Sequence, residues 1–293
     1  MPVLIKTLSI VTPVFAIIGC GYVFAGFKKI NLAPVVDILL YLTIPALVIS
    51  SLSRRALNTD MLLTVAFAAF VVVAGTGLLA HIYLRVTGKR HLRGFYLPTM
   101  FMNTGNMGFP LALLAFGPDG LTVAVLYYIA ISLMVYSIGI YIAKGGGGFK
   151  EIFKLPLIYA AALGIALNLS NVTMPTPLSN TFEMLGAATI PLMQLSLGYK
   201  LYSTKLSLPA MSLAGSVIRI GGGFIIAYFI TWLFGIGGLT GKIIILSSSM
   251  PSAVINFIVS HKYKLDGDLV ASTVAMSTII SVITVPVVLI WIM

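Results

Sequence analysis

Two polar stretches that contain proline, the first also two glycines, interrupt the apolar runs of this 293-residue chain. The first reads NTGNMGFP at 103–110, and the second reads SSSMPSAVIN at 247–256. Proline removes a backbone donor and clashes with the preceding helical turn, and glycine disfavours helix, so both stretches predict interrupted helices. The residues predicted to break them are Gly105, Gly108, Pro110 and Pro251.

The chemistry of an interrupted helix favours an anion. The first helical turn after each interruption exposes unpaired N–H groups and carries about half a positive charge. Amide and hydroxyl side chains near that turn add hydrogen bonds of either polarity. The same small residues would also serve close helix packing alone, which is the alternative interpretation. The predicted substrate ligands in the two stretches are Asn103, Thr104, Asn106, Ser252 and Asn256.

Two further polar residues fall inside apolar runs. Gln194 is predicted to line a pathway, because an amide at membrane depth needs partners. Arg219 is the one basic residue predicted deep in the membrane. Arg219 would either neutralise a carboxylate of the substrate, or reach the cytoplasmic face or the carbonyl groups at a helix end.

Composition indicates an all-α membrane protein. Hydrophobic residues make up 59% of the chain and charged residues 9%, a balance that a water-exposed surface does not sustain. Long apolar runs without period-two alternation predict helices rather than a barrel. The net charge of +11 lies in short clusters between these runs, which is typical of topology determinants and not of a nucleic-acid interface.

Catalytic and metal chemistry find little support in the sequence. Cys20 is the single cysteine, and the three histidines are scattered, so we predict neither a metal site nor a cofactor. All seven acidic residues fall near predicted helix ends or in loops, so an enzyme would lack its acid–base pair.

Ten transmembrane helices are predicted, with a glycine-rich connection near 145–148 at the midpoint. This connection divides the chain into halves at 1–150 and 151–293, each with five helices. The predicted spans are 3–25, 32–52, 61–84, 94–117, 120–143, 152–169, 178–201, 207–234, 241–261 and 268–292.

Lysine and arginine counting predicts the orientation in an inner or plasma membrane. With both termini extracytoplasmic, thirteen of the eighteen basic residues fall in cytoplasmic loops. Arg54 and Arg55 are the exception, because this topology leaves them outside.

The halves are predicted to be inverted repeats. Thr43-Ile44-Pro45 recurs as Thr189-Ile190-Pro191, and the two interrupted helices, the fourth and the ninth, occupy corresponding positions. Five is an odd number of spans, so the second half must be inserted upside down relative to the first.

Three segments resemble the auxin efflux carrier family. They are NTGNMGFPLALLAFG at 103–117, IPLMQLSLGYKL at 190–201 and the C-terminal region 250–293. The resemblance implies a fold similar to that of bile acid:sodium symporters, in which helices 4 and 9 cross where they unwind. It also implies a scaffold of helices 1, 2, 6 and 7, a moving transport domain of helices 3–5 and 8–10, and a homodimer through the scaffold.

The resemblance implies a substrate contact for Asn103 and carboxylates as substrates, such as malate, malonate or auxin. The chain departs from the plant pattern in having Met102 before this asparagine, Ser252 where glutamine is frequent, and no acidic residue in helix 3. The resemblance therefore does not locate the point of unwinding in this chain. Plant carriers also have an acidic and basic pair in helix 3, and its coupling role does not transfer.

We expect a secondary transporter that carries a small organic anion by an elevator mechanism. Within transporters, the alternative is a sodium-coupled symporter of the bile acid type, with Ser247 and Ser248 among the ion ligands. From another class, the alternative is a membrane receptor that binds its ligand without transporting it. The sequence leaves substrate identity, direction and coupling ion open.

Overall fold

The computed structural model describes residues 2–54, 57–146 and 149–293. Arg55 and the linker residues Gly147 and Gly148 lie outside these ranges. Within them the chain is helical apart from short connections, and it contains no strand beyond one antiparallel bridge between Met102 and Ser252. The prediction of an all-α protein is confirmed.

Helices of very different length make up the described chain. A short 3₁₀ turn at Arg93–Phe95 leads into the fourth of them. In chain order the helices are α1 (Pro2–Phe27), α2 (Ala33–Ser53), α3 (Thr59–Val86), α4 (Tyr96–Met100), α5 (Thr104–Lys144), α6 (Phe149–Ile152), α7 (Pro156–Leu169), α8 (Thr176–Ala187), α9 (Thr189–Tyr202), α10 (Pro209–Leu233), α11 (Gly238–Ser248), α12 (Val254–Lys262) and α13 (Gly267–Ile292).

Six helices among the described residues are long and apolar enough to cross a bilayer: α1, α2, α3, α5, α10 and α13. The chain is thus a multi-pass membrane protein by length and hydropathy, while the full count of ten spans stays a prediction. Helix α5 covers part of the fourth predicted span and all of the fifth. Its 41 residues include Gly117 at φ 70°, followed by Pro118, so the helix bends where the sequence predicts a boundary.

The long helices turn apolar side chains outward. On α13, Ile283 and Val287 are 72% and 60% exposed, whereas Ser277 and Thr278 on the same helix are buried. The hydroxyls of these buried residues donate to the carbonyl oxygen of Val274, one turn back, so the helix satisfies them itself. A helix with a polar inner face and an apolar outer face suits a lipid surrounding.

Glycines allow the backbones of α1 and α9 to touch. A β-carbon at Gly198 would overlap the carbonyl oxygen of Ile18, and one at Gly21 would overlap that of Leu195. Small residues permit this kind of close approach between membrane helices.

The helices pack in two groups. In one group α1 packs on α9, and α2 packs on both α7 and α8. In the other, α3 packs on α5, α10 on α13, and α11 on α5 and α10. The two groups meet where α9 packs on the start of α5, where α2 packs on α5, and where α1 packs on α5 and α13.

Candidate functional site

The first helix interruption lies between α4 and α5. Helix α4 ends at Met100, Phe101 is extended with φ −109° and ψ 117°, and α5 begins at Thr104. The break therefore falls at Phe101 to Asn103, at the N-terminal edge of the polar stretch that predicts it.

The prediction that Gly105, Gly108 and Pro110 form this break needs correction. All three lie in the first turns of α5, past the break. Thr104–Gly108 is a wide turn of π-helix, closed by a 3.3 Å hydrogen bond from the Gly108 N–H to the Asn103 carbonyl oxygen. A wide turn relieves the clash between a proline ring and the preceding backbone, so helix continues through Pro110.

The second interruption lies between α11 and α12. Helix α11 ends at Ser248, and α12 begins at Val254. Pro251 lies inside this gap, as the sequence predicts, and Ala253 is extended with φ −75° and ψ 142°.

The two interruptions meet and pair with each other. The Asn103 N–H donates to the Pro251 carbonyl oxygen at 2.7 Å, and the Ala253 N–H donates to the Phe101 carbonyl oxygen at 3.1 Å. The Asn256 side-chain N–H₂ donates to the same Phe101 oxygen at 2.9 Å and to the Ser252 hydroxyl at 3.0 Å. These bonds satisfy backbone groups that would otherwise be bare inside the membrane.

A cavity of about 460 Å³ opens beside the paired breaks. Asn103 and the first residues of α5, Thr104 to Asn106, line it together with Ala253 and Val254 at the start of α12. Both half-helix N-termini therefore border one cavity. Its other walls come from α2, α7 and α9 and from the middle of α5.

Asn103 lines this cavity and has an uncommitted donor. The side chain is only 2% exposed, and its Oδ1 accepts from the Asn106 N–H at 3.2 Å. The Asn103 Nδ2 has no hydrogen-bond partner among the described residues. The Asn106 amide is engaged, because its Nδ2 donates to the Met193 carbonyl oxygen of α9 at 3.0 Å.

Charged residues that the sequence analysis missed line the outer part of the cavity: Asp37, Lys154 and Lys200. Lys200 Nζ lies 4.2 Å from the centre of the Phe257 ring. Lys154 donates to Glu151 at 2.9 Å, and this hydrogen bond lowers the pKa of the Glu151 carboxyl below its usual value. These residues lie far from both polar stretches in the sequence, so spacing alone carries no signal for them.

Comparison with known proteins identifies the class of molecule. Residues 148–289 match the family described as "Membrane transport protein". An uncharacterized transporter of Methanothermobacter thermautotrophicus is 30% identical over 263 residues, covering 85% of each chain. The chain belongs to the auxin efflux carrier family of membrane transporters. A second uncharacterized transporter, from Methanocaldococcus jannaschii, is 26% identical over 296 residues, covering 95% of this chain and 96% of the relative.

As a member of this family, the protein is a membrane transporter and not an enzyme. Asn103, Thr104 and Asn106 are the predicted substrate ligands that border its cavity. Ser252 and Asn256 are fully buried behind the paired breaks and hold them together, so the structure gives them a clamping position rather than a place on the cavity wall.

The remaining predicted polar residues of the transporter are also buried away from the cavity. Neither amide atom of Gln194, on α9, has a partner among the described residues. The Ser247 hydroxyl is likewise unpartnered there, whereas the Ser248 hydroxyl bonds Tyr127 at 2.7 Å. Within the described part of the transporter, no group of histidine, cysteine and acidic residues could hold a metal ion.

Arg219 lies on α10 and is fully buried outside the cavity. Its Nη1 donates to the carbonyl oxygens of Thr99 at 3.0 Å and Met100 at 2.7 Å, and its Nη2 donates to that of Ser248 at 2.9 Å. Of the predicted roles, the structure places Arg219 on helix-end carbonyls. The prediction that it neutralises the substrate carboxylate is not supported, because Arg219 does not border the cavity.

Proposed function

We propose that this chain is a secondary transporter for a small organic anion, whose carboxylate binds where α5 and α12 begin. One observation carries the proposal: two half-helix N-termini and the unpartnered Asn103 amide donor border the same cavity. Each N-terminus contributes about half a positive charge, and the surrounding protein screens these charges less than water does.

The cations that border the cavity favour the same sign of ligand. Lys154, which is paired with Glu151, and Lys200 line its outer part, and Asp37 is the one acidic residue among the described residues of its wall. Cations at the entrance raise the local concentration of an anionic solute.

The size and walls of the cavity suit a small carboxylate with an organic body. A volume of about 460 Å³ lies in the usual range for small-molecule sites. Tyr128, Ile131 and Tyr136 of α5 supply aromatic and aliphatic wall beside the polar end. Malate, malonate and auxin-like acids are the class of substrate that we propose.

Alternating access would come from an elevator movement of one helix group against the other. The cavity lies between the group of α1, α2, α7, α8 and α9, as scaffold, and the group that contains α5 and α12, as transport domain. These groups combine parts of both halves, 1–150 and 151–293, as expected for inverted repeats. The cavity is bordered by three residues at helix ends, Ala33, Lys154 and Lys200. The distribution of basic residues predicts that these helix ends are cytoplasmic, so we assign an inward-open state.

Uptake of labelled malate, malonate and indole-3-acetate into proteoliposomes tests the proposal. Asn103→Ala is expected to lower uptake about tenfold or more, since a hydrogen bond to a charged group is worth about 1.5–3 kcal/mol. Asn180→Ala, an exposed asparagine on α8, is the matched control. Uptake by the Asn103 variant at the control rate would refute this binding site. Binding without counterflow exchange in the parent protein would indicate a receptor instead.

A further inference from the structure

The C-terminal ends of α4 and α11 converge on a single side chain. Thr99 and Met100 are the last two residues of α4, Ser248 is the last residue of α11, and all three carbonyl oxygens accept from Arg219. The last carbonyls of a helix lack partners within it and carry about half a negative charge. The guanidinium thus lies where two negative helix ends meet.

No carboxylate accompanies this buried cation in the described chain. The ion pairs recorded there are Arg54 with Glu183 and Lys154 with Glu151, and neither involves Arg219. Burying an uncompensated charge at membrane depth is costly, so the three carbonyl groups must supply the compensation. The Thr76 hydroxyl adds a further oxygen at 3.5 Å from Nη1.

This group of ligands has the composition of an alkali-cation site. Backbone carbonyls at the C-terminal ends of interrupted helices, together with hydroxyls, are the groups that hold coupling sodium ions in transporters with broken helices. In this chain the same kinds of oxygen surround a cation that is covalently part of the protein.

A glycine on the same helix makes room for the arrangement. A β-carbon at Gly223 would overlap both Arg219 Nη2 and the Ser248 carbonyl oxygen. Helix α10 therefore approaches the end of α11 closely enough to place the guanidinium on that carbonyl. A side chain at this position would separate the two.

We propose that Arg219 is a resident cation, which occupies the position of a coupling sodium ion at the paired breaks and makes the transporter independent of sodium. The positive ends of α5 and α12 then face the substrate cavity, and Arg219 lies against the negative ends of α4 and α11. For transport this inference rests on the proposed function. The effects that this inference predicts for ion binding and for thermal stability do not depend on the proposed function.

Thermal unfolding of the purified protein tests the cation site directly. We compare sodium chloride, choline chloride and dilute guanidinium chloride at equal ionic strength, using the parent protein, Arg219→Ala, Arg219→Lys and the control Arg85→Ala. Arg85 is an exposed arginine near the end of α3, so its variant loses the same charge without losing the carbonyl contacts.

The parent protein is expected to unfold at the same temperature in sodium and choline. Arg219→Ala should unfold about 5 °C or more below the Arg85→Ala control, and sodium or guanidinium should restore part of the loss by filling the vacated site. Arg219→Lys, which keeps a charge, should lie between the parent and Arg219→Ala. A sodium-specific rise in the parent protein would overturn the proposal. Equal, ion-insensitive behaviour of both Arg219 variants would also overturn it.

Uptake measurements distinguish a failure of this proposal from a failure of the proposed function. Anion uptake by the parent protein should be unchanged when sodium is replaced by choline, and sodium-dependent uptake would overturn the resident-cation role. If the parent protein transports none of the anions, the proposed function fails, while the unfolding comparison still decides the role of Arg219. If Arg219→Ala does not fold, the sodium response of the parent protein and of Arg219→Lys decides it.

Discussion

The Asn103 N–H donates to the Pro251 carbonyl oxygen at 2.7 Å, which joins the two helix interruptions of this transporter. Each break supplies backbone hydrogen-bond partners to the other, which lowers the cost of interrupting a helix inside the membrane. Residues that hold the two breaks together should therefore control stability as well as transport.

Asn256→Ala tests the clamp across the paired breaks. The substitution removes hydrogen bonds to the Phe101 carbonyl oxygen and the Ser252 hydroxyl. We expect the free energy of unfolding to fall by about 1–3 kcal/mol, because buried polar groups lose partners. Thermal unfolding in detergent measures the change, with Asn180→Ala as control. Equal midpoints for the two variants would show that the clamp contributes nothing.

Lys154 and Lys200 should control the affinity for the anion. Replacing both by alanine removes the cations from the outer cavity, and we expect the dissociation constant to rise about threefold to tenfold at low salt. The difference should shrink as ionic strength increases, because salt screens exposed charges. Titration calorimetry at two salt concentrations measures it. Lys205→Ala, an exposed lysine away from the cavity, should bind like the parent, and a salt-independent loss would contradict the electrostatic explanation.

Gly198 and Gly19 form a matched pair for packing between α1 and α9. A β-carbon at Gly198 would overlap the Ile18 backbone, whereas one at Gly19 meets nothing within 4 Å. Gly198→Ala should cost about 1–3 kcal/mol of unfolding free energy through overpacking. Gly19→Ala should be neutral or slightly stabilising, because alanine favours helix. The thermal unfolding midpoints of the two variants measure the difference. Equal midpoints would mean that the backbones of α1 and α9 do not touch at Gly198.

Gly223 and Gly221 give a similar comparison beside Arg219. Alanine at 223 would displace the guanidinium from the Ser248 carbonyl, whereas a β-carbon at Gly221 meets nothing within 4 Å. We expect Gly223→Ala to lower the unfolding temperature by several degrees and Gly221→Ala to leave it unchanged or slightly raised. Differential scanning calorimetry measures both. A stable Gly223→Ala variant would show that the contact between Arg219 and Ser248 is dispensable.

The interrupted helices illustrate how far the sequence can predict the site. Proline and glycine predict that a helix is difficult to continue, and Pro251 indeed lies in a break. The same reasoning placed the first break too late, because the wide turn at Thr104–Gly108 accommodates Gly105, Gly108 and Pro110 within helix. Local propensity measures the cost of a conformation and does not include the hydrogen bonds that a distant segment offers to an earlier break.

The sequence by itself determined that the chain is helical, lies in a membrane and carries two polar interruptions, since these follow from composition and from the backbone limits of proline and glycine. Only the tertiary structure decided that the interruptions pair, that Asn103 borders a cavity with Lys154 and Lys200, and that Arg219 donates to helix-end carbonyls outside that cavity. The physical reason is distance along the chain. Arg219 contacts Thr99 and Met100 at the end of α4 and Ser248 at the end of α11; these two helix ends are remote in sequence, and only packing brings their carbonyl oxygens to one point.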